Sequence, residues 1–307
     1  MGRERGVALI TALLVVALAT TTAVAMIARQ QLDIRRTGNG LQYDQAYLYV
    51  NGMEQWAARV LREDKRDNKY DHASEEWATQ LPPIPVEGGQ LAGYIEDRQG
   101  RFNLNSLIRD GEPDPAAMER FQRLLVVLEL EPTLVNALLD WLDEDIEPRF
   151  PGGAEDGLYM SKEQPYRTAN GPLVSISELR LIEGLDNEGY EQLAPHVSAL
   201  PVLSSLNVNT ATAPVLMSLS GDIDSARAEA IIEARDEEEG YESLEDFLAL
   251  PELDNLELPV EELGVSSRYF VVTSQVEFGR VNVNYQTLIE RGEDNITRVI
   301  RRAQGRL

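Results

Sequence analysis

The chain has 307 residues, no cysteine, and 52 acidic against 28 basic side chains, a formal net charge of −24 at neutral pH. That length is enough for an anchor and one or two folded units, and without cysteine their stability rests on packing, or on a bound metal, with no disulfide. An acid surplus of this size repels nucleic acid and anionic membrane surfaces in general, so no nucleic-acid partner is expected. The charge is uneven: Asp236 to Glu262 holds twelve acids and no Lys or Arg, whereas the C-terminal tail carries Arg298, Arg301, Arg302 and Arg306. The acidic run reads as a solvated face rather than a site for a basic partner.

The first predicted element is a helix. Val7 to Ala28 is uncharged and apolar; at about 1.5 Å per residue it spans roughly 33 Å, enough to cross the hydrocarbon core of a bilayer. Arg3 and Arg5 precede it, which favours a cytoplasmic N-terminus with the rest of the chain exported. Helical spacing continues afterwards, with Tyr49, Met53, Trp56, Ala57, Val60 and Leu61 on one face. A cleaved secretory signal is the alternative, with Ala23-Val24-Ala25 as cleavage site and a start at Met26, although the run exceeds the usual signal core of about 7–15 residues. A short charged leader ending in Gly6, followed by such a helix, resembles the N-terminus of type IV pilin-like proteins. The resemblance implies that a prepilin peptidase cuts after Gly6 and that Val7 becomes the N-methylated first residue. Most of that superfamily carries Glu at the fifth mature position, where this chain has Thr11. A carboxylate in the bilayer needs a partner, taken in that superfamily to be a neighbouring subunit's N-terminus. A subunit without it is expected at the end of a filament.

After the helix, Asp64 to Gly89 is polar and contains Pro82, Pro83 and Pro85, which reads as a connecting loop. Leu91 to Asp97 is a predicted strand, and Gly100 marks a turn before Phe102-Asn-Leu-Asn. At the far end, Tyr269 to Phe278, Arg280 to Ile289 and Asn295 to Ile300 are strand-like and rich in β-branched residues, with turns at Gly279 and Arg291-Gly-Glu-Asp-Asn. Between these strand regions the pattern is helical, which suggests a domain inserted into a sheet, both ends returning to it.

The insert contains an internal repeat. Phe102-Asn-Leu-Asn-Ser-Leu is echoed by Leu206-Asn-Val-Asn-Thr-Ala, and the two halves close with Val174-Ser-Ile-Ser-Glu-Leu and Tyr241-Glu-Ser-Leu-Glu-Asp. Each closing segment has a capping signature, Ser175 with Glu178 and Ser243 with Asp246. The second half resembles the helix-hairpin-helix domains of competence-type DNA receptors. Its turn, however, reads Ser220-Gly-Asp-Ile-Asp, placing Asp222 and Asp224 where a phosphate would approach. It is read as a scaffold that has lost nucleic-acid binding.

The first half differs by a long acidic segment. Asp140, Asp143, Glu144 and Asp145 crowd the end of a predicted helix, where the dipole is itself negative, and Glu155 and Asp156 follow Pro151-Gly-Gly-Ala. A cation reverses that penalty; a solvated acidic loop is the other reading. Calcium suits such oxygen donors, whereas zinc does not, since His72 and His196 are remote in sequence and cysteine is absent.

The leader with Gly6, Thr11, the helical insert, and the segments Trp141-Leu-Asp-Glu-Asp, Gly153-Ala-Glu-Asp-Gly-Leu-Tyr, Tyr166-Arg-Thr-Ala-Asn and Ile176-Ser-Glu-Leu-Arg together resemble the general secretion pathway protein K family. Its members are minor pseudopilins of the type II secretion system. The resemblance implies an α+β fold: a pilin-like long N-terminal helix packed on a small antiparallel sheet, with a large inserted all-α domain of two helix-hairpin-helix-like lobes. The expected organisation is leader 1–6, transmembrane helix 7–28, amphipathic continuation 29–66, first strands within 67–103, insert 104–267 with lobes about 104–200 and 206–267, and last strands 268–307. It further implies calcium held by Asp143, Asp145, Glu155 and Asp156, with Asp140 and Asn170 as additional candidates. The implied location is the inner membrane, single-pass, with the C-terminal domain in the periplasm. The implied partners are the minor pseudopilins I and J, then H and the major pseudopilin, with prepilin peptidase as processing enzyme. No Gly-rich phosphate loop, nucleophile elbow or metalloprotease helix is present, so an enzyme is not expected. A membrane-anchored DNA-binding protein of an uptake system, or a cleaved secreted acidic protein, remain the alternatives.

Overall fold

The computed structural model describes residues 4–305 apart from Val202 and Asn295; Arg3 of the leader and Arg306 of the tail lie outside the described residues. A single unbroken helix, α1 (Glu4–Asp67), runs from the apolar segment into the folded part. Residues 7–41 are exposed on all sides. Among the described residues α1 is the one helix long and apolar enough to cross a membrane. Thr11 turns its hydroxyl back onto its own helix, donating to the carbonyls of Val7 (3.1 Å) and Ala8 (3.0 Å). Its polarity is therefore satisfied without any neighbour.

Beyond residue 41 the helix lies against an antiparallel sheet of β1 (Leu81–Val86), β2 (Gly89–Asp97), β3 (Tyr269–Phe278), β4 (Val281–Arg291) and β5 (Thr297–Gln304), neighbours in that order. The buried seam of α1 is Ala46, Val50, Met53, Ala57 and Leu61, spaced by three and four residues as a helix face requires. The predicted Tyr49, Trp56 and Val60 flank that seam and are only partly buried. Gly93 of β2 lets the helix in close: a Cβ there would fall 2.6 Å from the Met53 methyl. The register is also held by charge, because buried Glu54 accepts from Arg302 of β5 (2.6 and 2.7 Å) and from Thr287 of β4 (2.7 Å).

The segment expected to be a loop before β2 supplies an edge strand, Leu81–Val86. Proline cannot donate to a ladder, but at a sheet edge one side of the strand needs no partner, so Pro82, Pro83 and Pro85 are tolerated there. β3 is different: Tyr269 to Ser274 is buried on both faces, with Phe270 and Val272 under α1 and Tyr269 and Val271 against Leu200 of the helical region.

That helical region lies between β2 and β3, which pair with each other through Asp97 and Phe270. The Arg98 N–H donates to the Tyr269 carbonyl (2.9 Å), so the chain leaves and re-enters the sheet at one point. The turns at Gly88 and Gly279 lie at the opposite end of the sheet, Gly279 beside Gln42 of α1. The helical region therefore sits at the end of the sheet farthest from the apolar half of α1.

Its first lobe contains α2 (Pro115–Val127), α3 (Leu134–Leu142), α4 (Asp156–Tyr159) and α5 (Asn187–Leu193); its second contains α6 (Ala213–Met217), α7 (Ser225–Glu237) and α8 (Leu244–Leu248). One continuous apolar core runs through both. The repeated Asn-x-Asn does the same work twice. Asn103 and Asn207 accept from the N–H groups two residues on, Asn105 (3.2 Å) and Asn209 (3.0 Å). Asn105 then holds both backbone groups of Leu173 (2.8 and 3.0 Å), and Asn209 both of Tyr241 (2.7 and 3.0 Å). In each lobe this fixes the start of the closing segment, whose capping box follows directly.

Candidate metal centre

α3 is buried along its length apart from Asn136, and Asp140 is carried inside with no exposure at all. A buried carboxylate requires a donor. Arg149 provides it through Nη1 (2.8 Å) and its backbone N–H (3.1 Å), and the same Nη1 also bonds Asp143. The loop can fold back this tightly because of Gly153, where a Cβ would fall 2.3 Å from both the Arg149 carbonyl and Asp140 Oδ2.

Where α3 ends, Asp143, Asp145 and, across the loop, Glu155 each bring a carboxylate oxygen within 4.8 Å of the others. Asp143 and Glu155 are 6% and 4% exposed. Burial, followed by the negative charges of Asp140 and Asp143, pushes Glu155 up to about 7. Burial likewise raises Asp143, against the pull of Arg149. Three buried oxygens in this loop, Asp143 Oδ1, Glu155 Oε1 and Asn170 Oδ1, have no hydrogen-bond donor. Asn170 adopts a left-handed backbone (φ 45°) and donates its amide to the Asp145 carbonyl (3.2 Å), which ties it to the same cluster. Unpartnered hard oxygens under repelling carboxylates are what a hard cation satisfies, so this group can hold a metal ion.

Of the residues singled out from sequence, Asp143, Asp145, Glu155 and Asn170 are thus brought together. Asp140 is taken up by Arg149. Asp156 opens α4, accepts from the N–H (3.0 Å) and hydroxyl (3.1 Å) of Thr168, and faces Arg167 at 3.6 Å, outside the group of three. The histidines are elsewhere, His196 against Thr212 (2.8 Å) and His72 beside Glu75. Gly6 and Val7 lie within α1 with no break between them.

A second carboxylate group, Asp64, Asp71 and Glu75, meets the same spacing and has no counterpart in the sequence reading. Arg291 pairs with two of the three, Asp64 (2.6 Å) and Asp71 (2.5 Å), and donates to the Ser267 carbonyl (2.8 Å), while Glu75 accepts from the His72 N–H (2.9 Å) and the Trp77 indole (2.6 Å). Burial, then the charge of Glu75, pushes Asp64 up to about 8, so Asp64 holds its proton near neutrality. Asn207 continues the network, donating to the Asp71 carbonyl (3.1 Å), Asp97 (3.1 Å) and Ser267 (2.9 Å). This is the joint between helix, sheet and insert. Its members are too far apart in the chain for any local spacing to reveal them.

The DNA-receptor alternative has no support in the second lobe. α7 is preceded by its N-cap Asp224, whose carboxylate accepts the Arg227 N–H (2.9 Å), so the helix end a phosphate would need is already capped by an acid.

A long apolar N-terminal helix laid on a small antiparallel sheet, with a metal-competent helical domain emerging from the sheet's far end, defines a pilin-like protein with an enlarged head. Two family profiles, both described as type II secretion system (T2SS), protein K, match residues 100–202 and 206–266, dividing the helical region at the same linker as the lobes. The type II secretion system protein K of Pseudomonas aeruginosa is 41% identical over 98% of this chain and 93% of its own length. Those of Klebsiella pneumoniae and Aeromonas hydrophila are 34% and 33% identical, over 94% and 99% of this chain and 93% and 98% of theirs. A chain from the crystal structure of the GspK–GspI–GspJ complex of the enterotoxigenic Escherichia coli type 2 secretion system superposes with a TM-score of 0.78 at 28% identity, covering 89% of this chain and 100% of that one. The chain belongs to the type II secretion system protein K family.

Proposed function

We propose that this protein is the minor pseudopilin that starts and caps the pseudopilus of a type II secretion system, supporting protein export across the outer membrane. The observation that carries the reading is the position of the insert at the end of the sheet remote from the apolar half of α1. A subunit held in the bilayer by Val7 to Ala28 presents that bulk away from the membrane, where it obstructs addition of another subunit above. Thr11, satisfied within its own helix, asks for no neighbour above either. In this reading prepilin peptidase cuts after Gly6 and Val7 is N-methylated. The insert faces the periplasm, and the minor pseudopilins I and J, then H and the major pseudopilin, assemble beneath. The complex described for the Escherichia coli relative supports the first two partners.

Calcium is the cation this reading assigns to the acidic loop. Asp143, Asp145 and Glu155 would hold it with Asn170, and Asp156 would support the loop through Thr168. When bound it supplies positive charge that offsets the repulsion among these carboxylates; the residues themselves fix the loop on the core. The decisive measurement is mass spectrometry of the mature N-terminus. N-methylated Val7 is the expected result, and a chain starting at Met26 refutes the reading.

A further inference from the structure

In a chain of net charge −24, the stretch just past the apolar run is basic: Arg29, Arg35 and Arg36, with Asp33 as the one acid between Arg29 and Gly40. Among the described residues none of these three guanidinium groups, nor that of Arg280, makes an ion pair or side-chain hydrogen bond. Most arginines of the folded part pair with carboxylates, as Arg149, Arg291 and Arg302 do. At 100° per residue Arg29, Arg35 and Arg36 fall within an arc of about 120°. Arg35 and Asn39 lie on the side of the helix that later meets the sheet. Arg280, in the β3–β4 turn, comes round to that side, its backbone N–H donating to Gln42 (3.4 Å). Arg35, Asn39, Gly40, Tyr43, Arg280 and Val281 line an open hollow of about 580 Å³.

Depth along the helix decides what meets these charges. Arg29 follows Ala28 directly, at the edge of the hydrocarbon core. Arg35 and Arg36 stand about 10–12 Å beyond Ala28 along the helix, while the head-group layer is about 5–8 Å thick on each side. Side chains on a helix incline toward its N-terminus, which here is the membrane, so both arginines reach back to the level of the phosphates. The overall acid surplus repels an anionic surface, and this collar is the local exception to it.

We infer that Arg29, Arg35 and Arg36 form a binding site for the phosphate head groups of anionic phospholipid on the side of the membrane that carries the folded domain. The site holds the subunit upright before it leaves the bilayer. The inference rests on α1 spanning the membrane. Each arginine near such a surface contributes about a fivefold preference for anionic over neutral lipid, so three together give roughly a hundredfold.

The test is native mass spectrometry of the full chain in detergent, titrated with phosphatidylglycerol or phosphatidylcholine, on wild type, on Arg29→Gln/Arg35→Gln/Arg36→Gln and on the matching triple Lys variant. Selective retention of phosphatidylglycerol, lost in the Gln variant, kept in the Lys variant and not displaced by inorganic phosphate, is the expected result. Equal retention of both lipids by wild type, an unchanged ratio in the Gln variant, or displacement by inorganic phosphate overturns it. So does a Gln variant with wild-type lipid selectivity that fails to join its partner pseudopilins, since the arginines then serve a neighbouring subunit. Extraction of the chain from membranes by alkaline carbonate is a separate control; release of the chain refutes the anchor itself, whatever the lipid ratios.

Discussion

Replacing Glu155 by Gln should change stability in opposite directions with and without calcium. In the metal-free protein burial and the neighbouring acids move Glu155 from 4.5 to about 7. The fold then binds this proton more tightly than the unfolded chain does, so the group lowers stability progressively as pH rises from about 4.5 to about 7, and fully above that. The shift corresponds to about 3 kcal/mol at most; because Glu155 lies just beneath the surface, solvent screening leaves about 1–2 kcal/mol. An amide of the same shape cannot ionise. In chelator at pH 8 Glu155→Gln should therefore melt about 2–6 °C above wild type, and at pH 4.5 the two should nearly coincide. Saturating calcium reverses the order, because the wild type gains about 2.7 kcal/mol at a hundred times Kd while the variant has lost a charged ligand. Thermal unfolding of the full chain at pH 8, with calcium and with chelator, is the assay. If calcium left the wild type unmoved, or if the variant were equally weakened in both buffers, the acidic loop would not be a cation site.

Three further outcomes follow from the fold. Asn105→Ala and Asn209→Ala should each cost about 3 kcal/mol, since each leaves two backbone groups of a closing segment without their partner; denaturant unfolding showing one silent and one severe would contradict the equivalence of the lobes. Arg302→Ala should cost about 1–2 kcal/mol by stranding buried Glu54, and Glu54→Gln/Arg302→Ala should recover part of it in a double-mutant cycle. Asp64, raised from 3.8 to about 8, favours folding less and less as pH climbs through that interval; Asp64→Asn, which keeps an N–H donor toward Glu75, should flatten the fall in melting temperature between pH 6 and 9.

Much of the architecture was legible because it is written in local pattern. The run from Val7, the seam at Met53, Ala57 and Leu61, and the β-branched stretch from Tyr269 each declare one element by their own spacing. The repeat was legible because the two asparagines of each copy do identical backbone work. Pro82 to Pro85 misled, since proline excludes a central strand and says nothing against an edge. Crowded carboxylates marked the acidic loop, yet their sharing between Arg149, Thr168 and the three-acid cluster depended on how the chain folds back at Gly153. The joint around Arg291 was invisible, because Asp64, Asp71, Asp97, Asn207 and Ser267 meet only once both ends of the insert have returned to the sheet.

The two lobes also supply an internal control for the acidic loop. The second lobe passes from α7 to its closing segment in a few residues and still buries Tyr241 and Phe247 in the common core. The lobe scaffold therefore does not need the long segment from Asp143 to Gly171. That segment nevertheless sends Ala154 and Tyr159 into the first lobe's core, where Tyr159 packs edge-on to Trp141 at 5.6 Å and accepts the Glu183 N–H (3.1 Å). Its entry brings Asp143 Oδ1, Glu155 Oε1 and Asn170 Oδ1 out of water without donors. Burying such groups costs about 1–3 kcal/mol each, set against the packing of Ala154, Tyr159 and the partly buried Tyr166. A cation bound by those oxygens removes that cost where it arises. Its loss should loosen Tyr159 and the first lobe first, leaving the second lobe and the sheet beneath α1 in place.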